Sequence, residues 1–359
     1  MNVPKIVEVV ARAVNVPLEF PVRTSVGVVD TAPLVLIDMK TDAGVTGRSY
    51  VFTYTPVALS ATLEMTRSLG KLVTGQPTAP VALDALFSSR LRLLGKTGLT
   101  QMAAAGLDMA AWDAWAQHLK QPLAQVLGGT VKPIPTYDSH SMDGIELGCK
   151  RAEEAAQAGF TAIKTKIGYA TLEEDLAVLR ALRKAVGPDV RIMADYNQGL
   201  TVPEAIRRIH VLEAEDLAWI EEPTIQENLR GYAEIRKRTR VAVQMGENWL
   251  SPDDMQRALE AGACELAMPD VMKMGGVTGW LKAAALAQTY GIPMSAHIFP
   301  EFSAHLLLVT PTAHYLERMD LAGPVLARSV KYENGNAVLD DTPGVGISWD
   351  ESAVARYAA

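Results

Sequence analysis

The sequence predicts an α/β chain in two parts: an N-terminal α+β domain, then a closed barrel of alternating strands and helices. Three observations carry this. Strand-like alternation followed by long helices fills residues 1–130, the order of an α+β unit. Short apolar runs then alternate with amphipathic segments, eight runs in all, and repeated strand-then-helix units imply a parallel sheet that closes at eight. The 359 residues, 48% hydrophobic and 21% charged, suffice for a barrel of about 250 residues and a smaller domain.

The elements follow in order. IVEVVARAVNVPL and APLVLIDMKTDAGVTGRSYVF alternate as antiparallel strands, with Asp42-Ala43-Gly44 as a turn. From Pro56 the pattern is helical, and LTQMAAAGLDMAAWDAWAQHLKQPLAQVLGG stops at Gly128-Gly129. Residues 131–320 hold the runs PIPTYDSHS, FTAIKTKIG, VRIMADYNQ, LAWIEEPT, VAVQMGENW, CELAMPD, IPMSAHIFP and, more weakly, HYLERMD. The helices between them carry start signals. Thr171 with Glu174 has the spacing of a capping box, and Ser251-Pro252 supplies a cap and a first-turn proline. Gly275-Gly276-Val277 opens a helix without the third glycine of a dinucleotide loop. Residues 321–359 hold no further unit and read as a segment packing back on the first domain.

Composition excludes several functions. Lys and Arg total 34 against 41 Asp and Glu, a net charge of −7, which argues against nucleic acid as a partner. Cys149 and Cys264 lie far apart and suggest neither a disulfide framework nor a thiolate metal site. Lys5, Glu8 and Arg12 break any apolar leader, and no run approaches the roughly 18 apolar residues of a membrane span. A cytoplasmic protein with a small-molecule substrate is expected.

Each apolar run ends in polar side chains: Ser139 and His140, Lys164 and Lys166, Asp195 and Asn197, Glu221 and Glu222, Glu247 and Asn248, Asp270, His297, and Glu317. They recur at about one strand-helix unit, so all should sit on one rim of the barrel, where active sites form. Asp195, Glu221 and Glu247 on three neighbouring strands repel one another unless a cation lies between them. All-oxygen ligation suits Mg²⁺, with Mn²⁺ as a substitute. Lys164 and Lys166 share a strand face. If that face is interior, burial and mutual repulsion depress their pKa values and make a base. Asp270 beside His297 would fix the imidazole tautomer. Glu317, if held protonated, would donate to a substrate carboxylate. There is no nucleophile elbow and no phosphate loop, so the set favours proton abstraction next to a carboxylate.

IKTKIG, ADYNQ, WIEEPT, MGENW, MPDVMKMGGVTGW and SAHIF, with the helix AAAGLDMAAWDAW before them, resemble the mandelate racemase group of the enolase superfamily over nearly the whole chain. The resemblance implies a modified TIM barrel, (β/α)7β, under an α+β capping domain, and symmetric homo-oligomers. It implies Asp195, Glu221 and Glu247 as Mg²⁺ ligands, Lys166 as the base for an S-enantiomer, and His297 with Asp270 as the base for an R-enantiomer. Lys164 and Glu317 would contact the substrate carboxylate and Asn197 its α-substituents, with Ser139 beside them. Glu222 would sit behind the metal ligands. A capping-domain loop, EFPVRTSVGVVDTAP, would close the site, with SYVFTYTP nearby. Val22, Val26, Val28, Val29, Phe52 and Tyr54, with Ile298 and Met319, make an apolar lid suited to an aryl or vinyl group, which leaves sugar hydroxyls unpaired. A Mg²⁺-dependent racemase of a 2-hydroxy acid such as mandelate is expected, with an acid-sugar dehydratase as the alternative. Arg23, Asp30, Pro300 and Met319 depart from that pattern, and Arg23 would meet a second anionic group on a substrate.

Overall fold

The computed structural model describes residues 3–359, so the start of the expected first domain at residue 1 lies outside the described residues. Strands β1 (Ile6–Thr24) and β2 (Gly27–Thr41) form a long antiparallel hairpin, irregular between Pro17 and Val22. Strand β3 (Thr46–Phe52) adds to β2, after a turn in which Gly44 takes φ 76°. Four helices follow: α1 (Pro56–Val73), α2 (Pro80–Arg90), α3 (Leu99–His118) and α4 (Leu123–Val126). Prolines open the first two, where a missing N–H costs nothing. Helix α3 is buried on nearly every face. It is rich in Ala because it packs very close to its neighbours: a Cβ on Gly106 would lie 2.6 Å from Ile37 and Val51. The helical run expected to reach Gly128 instead breaks after His118. Lys120 turns left-handed at φ 54°, and Pro122, which cannot continue a helix, caps the short α4.

The barrel strands are β4 (Ile134–Ser139), β5 (Ala162–Lys166), β6 (Arg191–Asp195), β7 (Leu217–Glu221), β8 (Val243–Met245), β9 (Leu266–Ala267) and β10 (Leu316–Arg318). Strands β4 to β9 pair in parallel in chain order, and β10 pairs with β4. The seventh run, IPMSAHIFP, is not a full strand. It contributes single bridges, Ala267 with Met294, Asp270 with His297 and Met294 with Ala313, and these carry the circle from β9 to β10. The helices between the strands are α5 (Gly144–Gln157), α6 (Leu172–Val186), α7 (Val202–Leu212), α8 (Leu229–Arg238), α9 (Pro252–Glu260), α10 (Gly276–Tyr290) and α11 (Pro300–Leu307). The Thr171–Glu174 capping box and the Ser251 cap both form. The result is seven strand-helix units and a final strand, the (β/α)7β barrel.

Period-2 alternation decides what the barrel encloses. Tyr137, Ala162, Met193, Trp219 and Met268 form an inner cluster of their own. Ile163, Ile192, Ala194 and Ile220, one residue out of phase, join the larger core under the helices. Two residues beyond that inner plug, the same interior positions become Lys164, Asp195, Glu221 and Asp270. The polar rim is therefore the direct continuation of an apolar plug.

The C-terminal segment serves both halves. Strands β11 (Lys331–Glu333) and β12 (Asn336–Val338) form a hairpin that pairs antiparallel with the start of β4. Trp349 Nε1 then donates to Asp38 Oδ1 at 2.9 Å, Arg12 pairs with Glu351 at 2.5 Å, and Ala358 bridges to Val14. Helix α12 (Glu351–Arg356) closes this stretch. No helix of the described residues is long and apolar enough to cross a membrane.

Three buried carboxyls tie these parts together. Asp108 on α3 accepts from the Thr278 hydroxyl and N–H at 2.5 and 3.0 Å. Asp113 accepts from the N–H groups of Arg48 and Val345, and Glu301 from the Tyr50 hydroxyl at 2.8 Å. Burial pushes Asp108 and Glu301 up to about 7 and Asp113 to about 6. Each value exceeds that of the unfolded chain, so the native state binds more protons between about pH 4 and 7. Their stabilisation is complete below that window and lost as pH rises through 6 to 7. The thermal midpoint is expected to fall as pH rises from about 4 to 7, and less steeply in Glu301→Gln, which keeps the Tyr50 hydrogen bond. Parallel melting curves for the two proteins check this; identical slopes would remove Glu301 from the account.

Candidate active site

The interior side chains form two tiers at the C-terminal end of the strands. In the deeper tier Lys164 Nζ donates to Glu221 Oε1 at 2.6 Å and lies 2.9 Å from Glu317 Oε1. Glu221 Oε2 also accepts from Trp219 Nε1 at 3.1 Å and Gln244 Nε2 at 3.2 Å. In the upper tier Lys166 Nζ donates to Asp195 Oδ2 at 2.6 Å. Across the rim His297 Nε2 stands 3.3 Å from Glu247 Oε2, and its Nδ1 stands 2.9 Å from Asp270 Oδ2. An ionised carboxylate only accepts, so the proton of that last contact is assigned to Nδ1.

One oxygen from each of Asp195, Glu221 and Glu247 can be chosen so that all three lie within 4.8 Å of one another. All three residues are buried. Burial raises Glu221, and the charges of Asp195 and Glu247 raise it further, against the pull of Lys164. Three buried carboxylates this close fit a hard divalent cation. The set can hold such an ion with a lysine on one side and a histidine on the other.

Two electrostatic expectations are corrected. Lys164 and Lys166 are not depressed. Burial opposes their charge and each repels the other, but Glu221 and Glu317 raise Lys164, and Asp195 raises Lys166. Alternation places the pair correctly but says nothing of the acids that meet it. Glu317 is not held protonated. Burial works against its charge, yet Lys164, His297 and the Ile298 N–H at 3.0 Å hold it well below the usual carboxylate range. It is an anion that orients Lys164. His297 is raised: burial opposes its charge, but Glu247 and Asp270 outweigh this.

Strain marks the rim. Tyr54, Asn197, Gln198, Glu222, Ile298 and Phe299 all take positive φ, costly for side-chain-bearing residues and most of all for β-branched Ile298. Ser139 Oγ and Asn197 Oδ1 are shielded from solvent without a hydrogen-bond partner among the described residues, as groups awaiting a ligand would be.

The lid is smaller than expected. Val22 pairs with Val29 and Arg23 with Val28 in the hairpin, so the two pairs point to opposite faces. Val29 packs on the core, whereas Val26 and Val28 are 68% and 62% exposed. Arg23 is exposed with them, and so is not brought to the site to meet an anion. Val22, Ser139 and Met319 line a cavity of about 430 Å³ that runs out past Arg151 and Arg318. Phe52 and Ile298 are buried. Tyr54 reaches the histidine side, its hydroxyl donating to Asp270 Oδ2 at 3.1 Å. The hairpin tip docks through Ser25, whose hydroxyl donates to the Tyr196 carbonyl at 2.6 Å. Gly199 makes room for it, since a Cβ there would lie 2.4 Å from Ser25 Oγ. Gly199→Ala is expected to raise KM about fivefold, the worth of one hydrogen bond, with kcat changed less; steady-state kinetics on a turned-over substrate test it.

Sequence reasoning missed Lys273, Gln244 and the Tyr54–Asp270 contact. Lys273 lies one turn past Asp270, off the one-per-strand spacing that located the rest. It stands within the motif MPDVMKMGGVTGW, as a lysine inside an otherwise apolar stretch.

Comparison with known proteins agrees with this geometry. Residues 6–128 match the N-terminal domain of the mandelate racemase / muconate lactonizing enzyme family, and residues 149–353 match the enolase C-terminal domain-like family. The chain belongs to the mandelate racemase / muconate lactonizing enzyme family. Family relatives include the D-galactarolactone cycloisomerase of Agrobacterium fabrum, 32% identical over 80% of this chain and 82% of its own. A crystal structure of an enolase from Bradyrhizobium, complexed with magnesium and mandelic acid, is 46% identical, with TM-score 0.96 over 100% of this chain and 99% of that one. A racemase from Streptomyces coelicolor with bound magnesium is 28% identical, with TM-score 0.94 over 99% of this chain and 100% of that one. Membership places the chain among the enolase-superfamily enzymes, with the capping domain and modified barrel built above.

Proposed function

We propose that the protein is a Mg²⁺-dependent racemase of a 2-hydroxy acid, with mandelate or a close aryl or vinyl analogue as substrate. One observation carries the reading: a lysine and a histidine–aspartate pair flank the same carboxylate cluster from opposite sides, Lys166 through Asp195 and His297 through Glu247. Binding alone needs neither base. The mandelic acid in the Bradyrhizobium structure supports the substrate class.

Mg²⁺ is the cofactor, and Asp195, Glu221 and Glu247 would hold it. Bound there, it supplies Lewis-acid charge that makes the proton next to a carboxylate more acidic. Asp195 and Glu221, which raise the two lysines, would then share their charge with the ion. The residues do the rest. Lys164, oriented by Glu317, faces the substrate carboxylate. Lys166 removes the α-proton of the S-enantiomer, and His297, held by Asp270, returns one to the opposite face. The reverse reaction starts from His297. Asn197 and Ser139 offer their unpartnered oxygens to the substrate's polar groups, and Val22, Val29, Tyr54, Ile298 and Met319 border its side chain.

Proton NMR of the Mg²⁺-loaded enzyme with R-mandelate in D₂O, followed by chiral analysis, tests the reading. Loss of the α-proton signal with appearance of S-mandelate is the expected result; an unchanged spectrum overturns mandelate as the substrate. The relationship to the arabinonate dehydratase of Saccharolobus solfataricus, 27% identical over 76% of this chain and 76% of its own, favours a second reading, dehydration of an acid sugar by the same bases. A 2-keto product from an acid sugar would establish it.

A further inference from the structure

Lys273 is only 7% exposed and has no part in the proton transfers proposed above. It pairs with no carboxylate among the described residues. Its ammonium instead donates to Asn248 Oδ1 at 2.7 Å and lies 4.1 Å from the centre of the Tyr54 ring. A buried ammonium without a counter-ion is a costly choice, and a methionine would fill the same space without that cost. The two contacts it does make are therefore the place to look for its purpose. Asn248 is itself fixed, its amide donating to both oxygens of Glu222 at 2.9 and 3.0 Å. Lys273 is thus a cation on a rigid mount, facing an aromatic ring.

That ring belongs to the capping domain. Tyr54 sits at φ 61°, an unfavourable backbone for any residue but glycine, and its ring tilts against Phe52 at 4.4 Å. Its hydroxyl reaches Asp270 Oδ2 at 3.1 Å, the oxygen that also faces His297 Nδ1 at 2.9 Å. The other oxygen, Oδ1, takes the N–H groups of Met272 and Lys273 at 2.8 and 3.1 Å. Asp270 is held by four donors, and the one from outside the barrel is the one Lys273 clamps.

We infer that Lys273 is a positioning residue for the His297–Asp270 pair: its ammonium pins the Tyr54 ring, so that the phenol fixes Asp270 Oδ2 and with it the orientation and Nδ1–H tautomer of His297. Lys166 hangs from Asp195 and is outside this chain of contacts, so the clamp acts on one base and not the other. The kinetic consequence rests on the two-base reading; the geometric consequence does not.

The experiment reads both. In enzyme labelled with ¹⁵N-histidine, the His297 Nδ1–H signal is identified by its loss in His297→Asn. In Lys273→Met, and in Tyr54→Phe, that proton should exchange with solvent about tenfold faster, the worth of one hydrogen bond. Lys273→Arg should restore slow exchange, because a guanidinium also stacks on a ring and still donates to Asn248. In parallel, the ratio of α-proton exchange rates for R- and S-mandelate should shift about tenfold against R in Lys273→Met. An Nδ1–H that exchanges at the wild-type rate in Lys273→Met overturns the clamp. If Lys273→Met does not fold, Tyr54→Phe decides the matter in its place, since it removes only the hydroxyl: wild-type exchange there overturns the clamp equally. If the wild-type enzyme exchanges neither enantiomer, the racemase reading fails while the Nδ1–H signal still decides the clamp.

Discussion

In His297→Asn, exchange of the α-proton of R-mandelate is expected to fall at least about 10³-fold, while that of S-mandelate persists. A positioned general base contributes roughly 10² to 10⁴, and asparagine cannot accept a proton. It does preserve much of the imidazole's shape beside Glu247 and Asp270, so Lys166 and the carboxylate cluster stay in place. Lys166→Arg is expected to do the reverse. Its guanidinium can still pair with Asp195 but never deprotonates at working pH, so S-mandelate loses exchange while R-mandelate keeps it. Exchange in D₂O with each pure enantiomer reads both variants. Equal loss of both exchanges in both variants would break the assignment of one base to each face.

Glu221→Gln should behave differently. It should lower exchange of both enantiomers together, by about 10³-fold or more, and abolish the stabilisation that Mg²⁺ confers. In the wild-type enzyme, free Mg²⁺ at about a hundred times its dissociation constant should stabilise the fold by about 2.7 kcal/mol. A Mg²⁺ titration of the thermal midpoint measures this without any substrate. The glutamine keeps the shape of Glu221, and Lys164 keeps Glu317 as its counter-ion, so the variant should fold. A full Mg²⁺ response in Glu221→Gln would remove that residue from the ligand set.

Much of the site could be read from the chain because a barrel converts spacing into position. One polar residue per strand end, at one period, becomes one ring, and alternation sends Lys164 and Lys166 to the same side as Ala162. What escaped was what spacing does not encode. The charge states of Glu317 and the lysines depend on which side chains meet across the barrel. The Tyr54–Asp270 contact joins residues 216 positions apart, and the strained backbone at Ile298 and Glu222 is imposed by tertiary packing. Arg23 was misjudged because a loop reading ignores the hairpin's own alternation, which turns it away from Val22. In the fold, the break at Pro122 was legible in principle. The seventh strand, reduced to single bridges, was not, since its sequence is as apolar as its neighbours'.

The embrace of β1 and β2 by the C-terminal segment bears on how the chain is made. Trp349 reaches Asp38 across 311 positions, and Glu351 reaches Arg12 across 339. The capping domain precedes the barrel in the chain, yet cannot be finished until the last barrel strand, Leu316–Arg318, and the segment after it have been translated. Until then the hairpin's anchoring groups are without the partners they will meet, a vulnerable interval for a nascent chain. Slow elongation through the barrel would lengthen that wait, so codon usage far downstream can govern how well the amino-terminal sheet is assembled.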